Sequence, residues 1–297
     1  MSYDIRIYVM DASRLLPLLY LAMRDSKLFD GSMTGPGVLF VKGAVRTLQA
    51  VVLTLASWQP LSHAADVVWE SPKDISADTD VSAKGTLERA FNFGSPTVKC
   101  TTINGVTFLK FPVSNAGADA SLTVESTTLS ATGVPGTTGA DSSNPEWMTG
   151  NPIGYDGFGG TPPYSIPPFS ELSPDHQALL SQGIFTFDAT GQFTLKLDGL
   201  TRGHTYLFQT FTNDSQNLAP IRRAVVVNGG RATSEEVIAN TAPNGAPGGT
   251  GQYLIGTFTA DGTSQDLSYQ AAGTGGSIQI NAFQLRDISA IQKRDAK

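Results

Sequence analysis

Aromatic and planar polar side chains occur in two stretches of the chain where they could bind a sugar. Trp147, Tyr155 and Tyr164 lie within residues 131–171, a stretch that contains 8 Gly and 7 Pro. Sugar rings pack on aromatic faces, and their hydroxyls need directed hydrogen bonds from a few polar groups. Polar groups of this kind follow in the second stretch: Asn213, Asp214, Gln216 and Arg222. The pattern predicts a carbohydrate site; the alternative is that the rings only pin a long loop onto the fold.

Three acidic residues close together in the sequence, and a fourth near its end, have the chemistry of a calcium site. Calcium takes oxygen ligands from irregular loops, and Asp74, Asp78 and Asp80 are close neighbours in the chain. Asp287 joins them if the first and last strands of the fold lie side by side. The stretch lacks the later Gly and Glu of an EF-hand loop, so that motif is excluded. We predict calcium ligands at Asp78, Asp80 and Asp287, with a solvated acidic turn as the alternative.

Sequence motifs of the common catalytic chemistries are missing. Only His176 and His204 follow residue 65, which disfavours a histidine-rich zinc site. The sequence has no Gly-x-Ser-x-Gly elbow, no P-loop, and no Gly-x-Gly-x-x-Gly that opens a helix after a strand. Carboxylates that could be paired as in a glycosidase are Asp188, Asp198, Asp214, Glu235, Glu236 and Asp261. Most of them fall in turns, where Asp is common for other reasons, so a non-catalytic protein is favoured.

The composition excludes further classes of protein, namely nucleic-acid-binding and disulfide-rich ones. The 297 residues carry 20 Lys and Arg against 26 Asp and Glu, a net charge of −6. An acidic chain is a poor partner for nucleic acid, which selects basic surfaces. A single cysteine, Cys100, rules out an internal disulfide framework. Because Cys100 lies in a strand-like run, we expect it to be buried; the alternative is an exposed thiol that pairs between chains.

The first 64 residues have the pattern of an export signal. An apolar run at residues 47–58 follows Lys42 and Arg46 and precedes the small residues of Ser62-His63-Ala64. A charged segment, a short apolar run and a small-x-small site are typical of a secretory signal. The run is too short to span a bilayer. We predict that the signal is cleaved after Ala64. The segment before it is longer than a signal needs, so we expect either a true start at Met33 or an unusually long signal. The mature protein is then secreted or at the cell surface, without a membrane span.

Residues 65–290 are predicted to form one β-sandwich, followed by a polar tail at 291–297. Short runs of β-branched and aromatic residues recur between Gly, Asn, Asp and Ser clusters, which is typical of sandwiches. In residues 192–197 the apolar side chains alternate with polar ones, and Asn104-Gly105 predicts a hairpin. Residues 277–286 are predicted as one strand with a bulge at Ala282–Phe283. One short helix is predicted at residues 173–181, capped by Ser173.

Several short stretches together resemble a known type of secreted domain. They include residues 90–94, Gly203-x-x-Tyr206 before Phe208-Gln209, and a closing strand that ends at residues 282–286. Their order resembles a recurring exported bacterial domain of Planctomycetes and Verrucomicrobia, often found with a PEP-CTERM sorting tail. It is also similar to galactose-binding-like jelly rolls such as malectin-like and carbohydrate-binding modules. The resemblance implies an all-β jelly-roll sandwich and a glycan ligand, although residues 291–297 lack the sorting motif.

Two functions from different classes follow from these observations. The first is a secreted, non-catalytic module that binds carbohydrate, with calcium as a candidate cofactor. The second is a structural protein whose partner is another copy of itself, in a matrix or filament. Low charge and a long Gly, Pro and aromatic loop suit both.

Overall fold

The structure is a computed structural model that describes residues 64–94, 100–112, 121–132, 166–181, 183–186, 191–215, 222–274 and 278–295. All of them belong to Ser62–Lys297, the second of two compact units into which the chain divides. Residues 1–63 of the predicted signal segment and the rings of Trp147, Tyr155 and Tyr164 lie outside the described residues.

The described part is built mainly of β-strands. The strands are β1 (Val68–Trp69), β2 (Lys73–Asp74), β3 (Thr86–Gly94), β4 (Thr101–Ile103), β5 (Val106–Pro112), β6 (Ser121–Val124), β7 (Thr127–Thr132), β8 (Ile184–Thr186), β9 (Gln192–Asp198), β10 (Thr205–Thr212), β11 (Arg223–Gly229), β12 (Ala232–Thr233), β13 (Val237–Ile238), β14 (Gln252–Thr259), β15 (Ser264–Gly273), β16 (Ile278–Ile280) and β17 (Ala282–Asp287). The α-helices are α1 (Pro174–Leu180) and α2 (Ser289–Asp295). Short 3-10 helices lie at Asp78–Asp80, Phe169–Glu171 and Pro243–Gly245.

Most of the strands form the two packed sheets of a jelly roll, as predicted, and β8 and β16 pair separately. Sheet I has the order β1-β14-β10-β17-β3-β5-β4, and sheet II has the order β12-β11-β15-β9-β7-β6 with β13 also paired to β11. In sheet I the antiparallel core is β3-β17-β10-β14, and in sheet II it is β9-β15-β11-β13. Numbered along the chain, these eight strands follow the orders 1-8-3-6 and 2-7-4-5, which is jelly-roll connectivity.

Period-2 alternation places the main core between the two sheets. Phe193, Leu195 and Leu197 of β9 are buried on one face, and the residues between them point away from the core. The rings of Phe91, Phe93, Phe208 and Phe283 pack in the same core from sheet I. The alternation predicted from the sequence for β9 is therefore confirmed.

The predicted single strand over residues 277–286 is wrong. Asn281 separates β16, which pairs with β8, from β17, which lies between β10 and β3 in sheet I. The Asn281 side chain binds Leu180 O through Nδ2 at 2.8 Å and accepts from the Asn213 N–H at 2.7 Å. The irregularity predicted as a bulge at Ala282–Phe283 is thus a change of sheet at Asn281. An irregularity in the ladder does occur, further along, between Leu285 and Arg286.

A second core covers the outer face of sheet I. Phe108 of β5, Phe169, Leu179 of α1 and Phe211 of β10 are fully buried there. Helix α1 begins as predicted, with the Ser173 hydroxyl accepting from the His176 N–H and Pro174 in the first turn. Helix α2, which covers most of the predicted polar tail, was not predicted from the sequence.

Polar side chains fix residues 70–85, here called the strap, onto this outer face. Gln209 of β10 accepts from the Ser82 N–H at 2.9 Å and donates to Asp80 O at 2.6 Å. Arg286 of β17 donates to the strap carbonyls of Ala83, Lys84 and Gly85 at 2.7 to 3.1 Å. Sheet I is therefore covered on both faces by described residues, whereas in sheet II the outward side chains of β9 and β15 are partly or fully exposed.

Cys100 is exposed, which contradicts its predicted burial. Strand β4 begins at Thr101, one residue later, and buries Thr101 and Ile103 on its inner side. Cys100 therefore falls just outside the strand rather than at one of its inward positions.

Candidate functional site

Asn213, Asp214 and Arg222 flank the connection between β10 and β11, at one end of the sandwich. Asn213 is buried and its Nδ2 donates to Gly249 O at 3.0 Å. Asp214 is also buried and forms an ion pair with Arg223. These bonds make both side chains part of the scaffold that holds the loops at this end.

Arg222 is on the surface and forms an ion pair with Glu236. Gln216 lies outside the described residues, like the three rings of the predicted sugar platform. Direct ligand contact by this set stays a prediction.

The acidic residues predicted to bind calcium each have partners within the protein. Asp80 accepts from the N–H groups of Ser76 and Ala77 at 2.6 and 2.8 Å. Asp78 accepts from the Ser173 hydroxyl at 2.6 Å. Among the described residues no group of three His, Cys, Asp or Glu side chains is placed to hold a metal ion. The calcium ligands stay a prediction.

Asp287 lies at the end of β17 and contacts His204 at 2.6 Å. Burial alone would raise the pKa of Asp287, but hydrogen bonds from Ser289 and His204 lower it overall. Asp287 is therefore a charged cap on the last strand.

His176 on α1 is a buried histidine beside the strap. Its side chain is fully buried, Nδ1 lies 3.4 Å from Asp78 Oδ1, and its ring meets Phe211 edge-on. Neither ring nitrogen makes a hydrogen bond to another described residue. Burial lowers the pKa of His176, and the nearby carboxylates of Asp78 and Asp80 only partly oppose this shift.

Acidification is therefore expected to destabilise the protein through His176. Its lowered pKa in the folded state means that the unfolded chain binds this proton more readily below pH about 6.5. The free energy of unfolding should fall as the pH drops from about 6.5 to the pKa of His176 in the folded state, by up to about 1.4 kcal/mol per pH unit. Urea unfolding at pH 7 and 5 measures this loss. A His176→Gln variant should lose less between these pH values; an equal loss in both proteins would contradict the assignment.

The outward face of sheet II carries a chain of hydrogen-bonded amides and hydroxyls, here called the amide ladder. Thr233 donates to Asn228 Oδ1 at 2.6 Å, and Asn228 Nδ2 donates to Gln270 Oε1 at 3.3 Å. Gln270 Nε2 donates to Gln192 Oε1 at 3.2 Å, and Gln192 Nε2 donates to Thr194 Oγ1 at 2.9 Å. The ladder crosses β12, β11, β15 and β9.

Each amide of the ladder keeps hydrogen-bonding capacity. An amide has two N–H donors and two acceptor lone pairs. Gln270 uses one N–H and one lone pair within the ladder. No other described residue forms a hydrogen bond with its second N–H or its second lone pair. The mutual bonds fix the planes of the amides, so the remaining donors and acceptors are held in place before a ligand arrives.

The strands beneath the ladder hold it rigidly. Gln192 and Thr194 alternate with the buried Phe193 and Leu195, while Gln270 follows the buried Tyr269. Cross-strand pairing sets Gln192 directly opposite Gln270 and Asn228 opposite Thr233. The side chains of the ladder thus stand on a fully packed sheet.

The ladder itself is uncharged. Charged groups begin at its border, where Lys196 and Asp198 form an ion pair at 3.0 Å. The hydrogen bond with Asp198 is the main cause that raises the pKa of Lys196. Opposite charges that pair in this way leave little net field over the amides.

The ladder was missed in the sequence, although a signal for it was present. Period-2 alternation in β9 and β15 marks Gln192, Thr194 and Gln270 as outward-facing. Which of these residues become neighbours depends on register between distant strands, which the alternation does not give.

Comparisons with known proteins do not assign the chain to a family. No protein-family model and no curated protein matches it. A solved structure of an exo-β-1,3-galactanase from Phanerochaete chrysosporium with β-1,3-galactotriose is similar at 11% identity and a TM-score of 0.23, over 35% of this chain and 23% of that one. A carbohydrate-binding module of the β-sandwich superfamily is similar at 15% identity and a TM-score of 0.14, over 75% of this chain and 99% of that one. Such TM-scores are too low to relate this chain to either protein.

A search for membrane-spanning helices found none long and apolar enough within the residues that the structure describes.

Proposed function

We propose that this protein is a non-catalytic carbohydrate-binding module whose ligand lies on the amide ladder. The observation that supports this most is the ladder itself: consecutive amides on the outward face, fixed by one another, that each keep a donor and an acceptor. A sugar hydroxyl is both a donor and an acceptor, so it can satisfy both groups of one amide.

The absence of charge on the ladder points to a neutral ligand. Phosphates and carboxylates are bound by Arg, Lys or helix N-termini, because these groups supply the compensating charge. The ladder offers hydroxyls and amides instead, on a sheet that loses little freedom on binding. A neutral, polyhydroxylated molecule is the ligand that matches this chemistry.

We also propose that binding takes place outside the cell. Support comes from the sequence of residues 1–64, with its charged segment, apolar run and small-x-small site. Release of a mature chain that begins at Ala65 is checked by N-terminal sequencing of the exported protein.

Gln270→Glu tests the ladder with little change of shape. The carboxylate cannot donate to Gln192, and it brings a charge to the neutral face. Loss of one or two hydrogen bonds, each worth about 0.5–1.5 kcal/mol, should weaken binding about 10-fold. Affinity is measured by gel electrophoresis and calorimetry on laminarin, galactomannan and dextran, with alginate as a charged counterpart.

Gln292→Glu is the matched control, because it makes the same change at an exposed position on α2. It should leave binding unchanged. Equal affinity of wild type and Gln270→Glu for the bound polysaccharide would refute the ladder as the site. In that case, variants Trp147→Ala and Tyr164→Ala test the alternative at the long loop. A repeat with calcium and with a chelator tests the predicted metal.

A further inference from the structure

The ladder shares Thr194, Asn228 and Thr233 with a longer row of small polar residues that crosses all of sheet II. Each member lies directly opposite the next in the strand register, from one edge of the sheet to the other. The members of this row, here called the hydroxyl row, are Ser121, Ser130, Thr194, Ser268, Asn228 and Thr233. Every one of them is partly or fully exposed.

The hydroxyl row is straight, regular and long. Neighbouring strands lie about 4.8 Å apart, so six strands give a row of about 24 Å. Beside it, Thr123 and Thr128 continue the same chemistry, with their hydroxyls 2.9 Å apart. On β9 and β15, the charged residues that face outward next to the row are Lys196, Asp198 and Asp266, all toward one border.

A face of this shape suits an oligosaccharide or polysaccharide rather than a single sugar. A small ligand gains affinity from burial in a concave pocket, whereas the row offers many separate hydrogen bonds along one line. Each bond contributes little by itself, so affinity has to accumulate over several sugar units. The described part of the row carries no aromatic ring, so stacking does not concentrate binding at one point.

We infer that the ligand is an extended, uncharged polysaccharide that lies along the hydroxyl row, across the strands of sheet II. This inference rests on the proposed function and adds the class and direction of the ligand. The lack of charge along the row argues against an anionic chain, and its length requires an oligosaccharide of several units before all strands are engaged.

The direct test is affinity against chain length. We expect a dissociation constant that falls at least 10-fold from the disaccharide to the longest oligosaccharide of the bound polysaccharide, measured by calorimetry. Ser121→Lys, at the far edge from the ladder, should weaken binding of the longest oligosaccharide about 2- to 10-fold, the value of one lost hydrogen bond. It should leave the disaccharide unaffected. Lysine is well tolerated on edge strands, so the variant should fold.

Thr102→Lys is the matched control. Thr102 is an exposed hydroxyl residue on β4, the edge strand of the other sheet, and its hydroxyl lies 3.0 Å from that of Thr107. This variant should bind like wild type. Affinity that does not depend on chain length, with Ser121→Lys equal to wild type, would overturn the inference and leave carbohydrate binding standing. No binding of wild type to any saccharide would remove the proposed function itself.

Discussion

Arg286→Met is expected to lower the free energy of unfolding by about 3–5 kcal/mol. Arg286 is only 7% exposed and its guanidinium donates to three carbonyls of the strap and to Gln284 Oε1 at 3.2 Å. Methionine keeps the apolar stem but removes the hydrogen bonds of a charged donor, each of which contributes about 1.5–3 kcal/mol.

Urea unfolding followed by tryptophan fluorescence measures this loss. Arg231→Met is the control, because the Arg231 side chain is 90% exposed and its partner Asp66 is also at the surface. It should leave the unfolding midpoint unchanged, as expected for a solvent-exposed ion pair. Equal midpoints for Arg286→Met and wild type would show that the strap does not depend on the guanidinium.

Phe283→Ala should be similarly severe, with a loss of about 3–5 kcal/mol. Phe283 of β17 is fully buried, and its ring centroid lies 5.7 Å from those of Phe91 and Phe93 and 5.8 Å from that of Phe208. Truncation leaves a cavity between the two sheets that stiff aromatic neighbours cannot refill.

The same unfolding experiment compares Phe283→Ala with Leu109→Ala. Leu109 is on β5 and is 40% exposed, so its truncation should change stability much less. If the two variants lost the same free energy, the centre of the sandwich would not lie at Phe283. Both measurements are independent of any ligand, so they test the fold apart from the proposed function.

Much of the fold could be predicted from local patterns. The alternation in β9, the Asn104-Gly105 turn and the cap at Ser173 each depend on a few neighbouring residues, and all three are confirmed. Asn104 and Gly105 both have positive φ, at 48° and 74°, as the tight hairpin requires. Local chemistry therefore suffices for such elements.

The parts that could not be predicted depend on distant pairing. The switch of sheets at Asn281 is set by Asn213 and Leu180, which are 68 and 101 residues away in the sequence. The second core likewise joins the strap to α1 across nearly a hundred residues, through Ser173 and Asp78. For the candidate site, the amides of the ladder become neighbours only through the register of β9, β11 and β15.

The position of β17 has a consequence for how the chain reaches its folded state. This last strand lies between β10 and β3, in the interior of sheet I. A ribosome-bound chain that ends before Ala282 can form hairpins such as β4–β5, but β3 and β10 have nothing between them. Sheet I can close only when β17 is available, almost 200 residues downstream of β3, and strand pairing at such separation is slow. Sheet I therefore cannot close until residues 282–287 have left the ribosome, and the chain can still pass through a narrow pore up to that stage of synthesis.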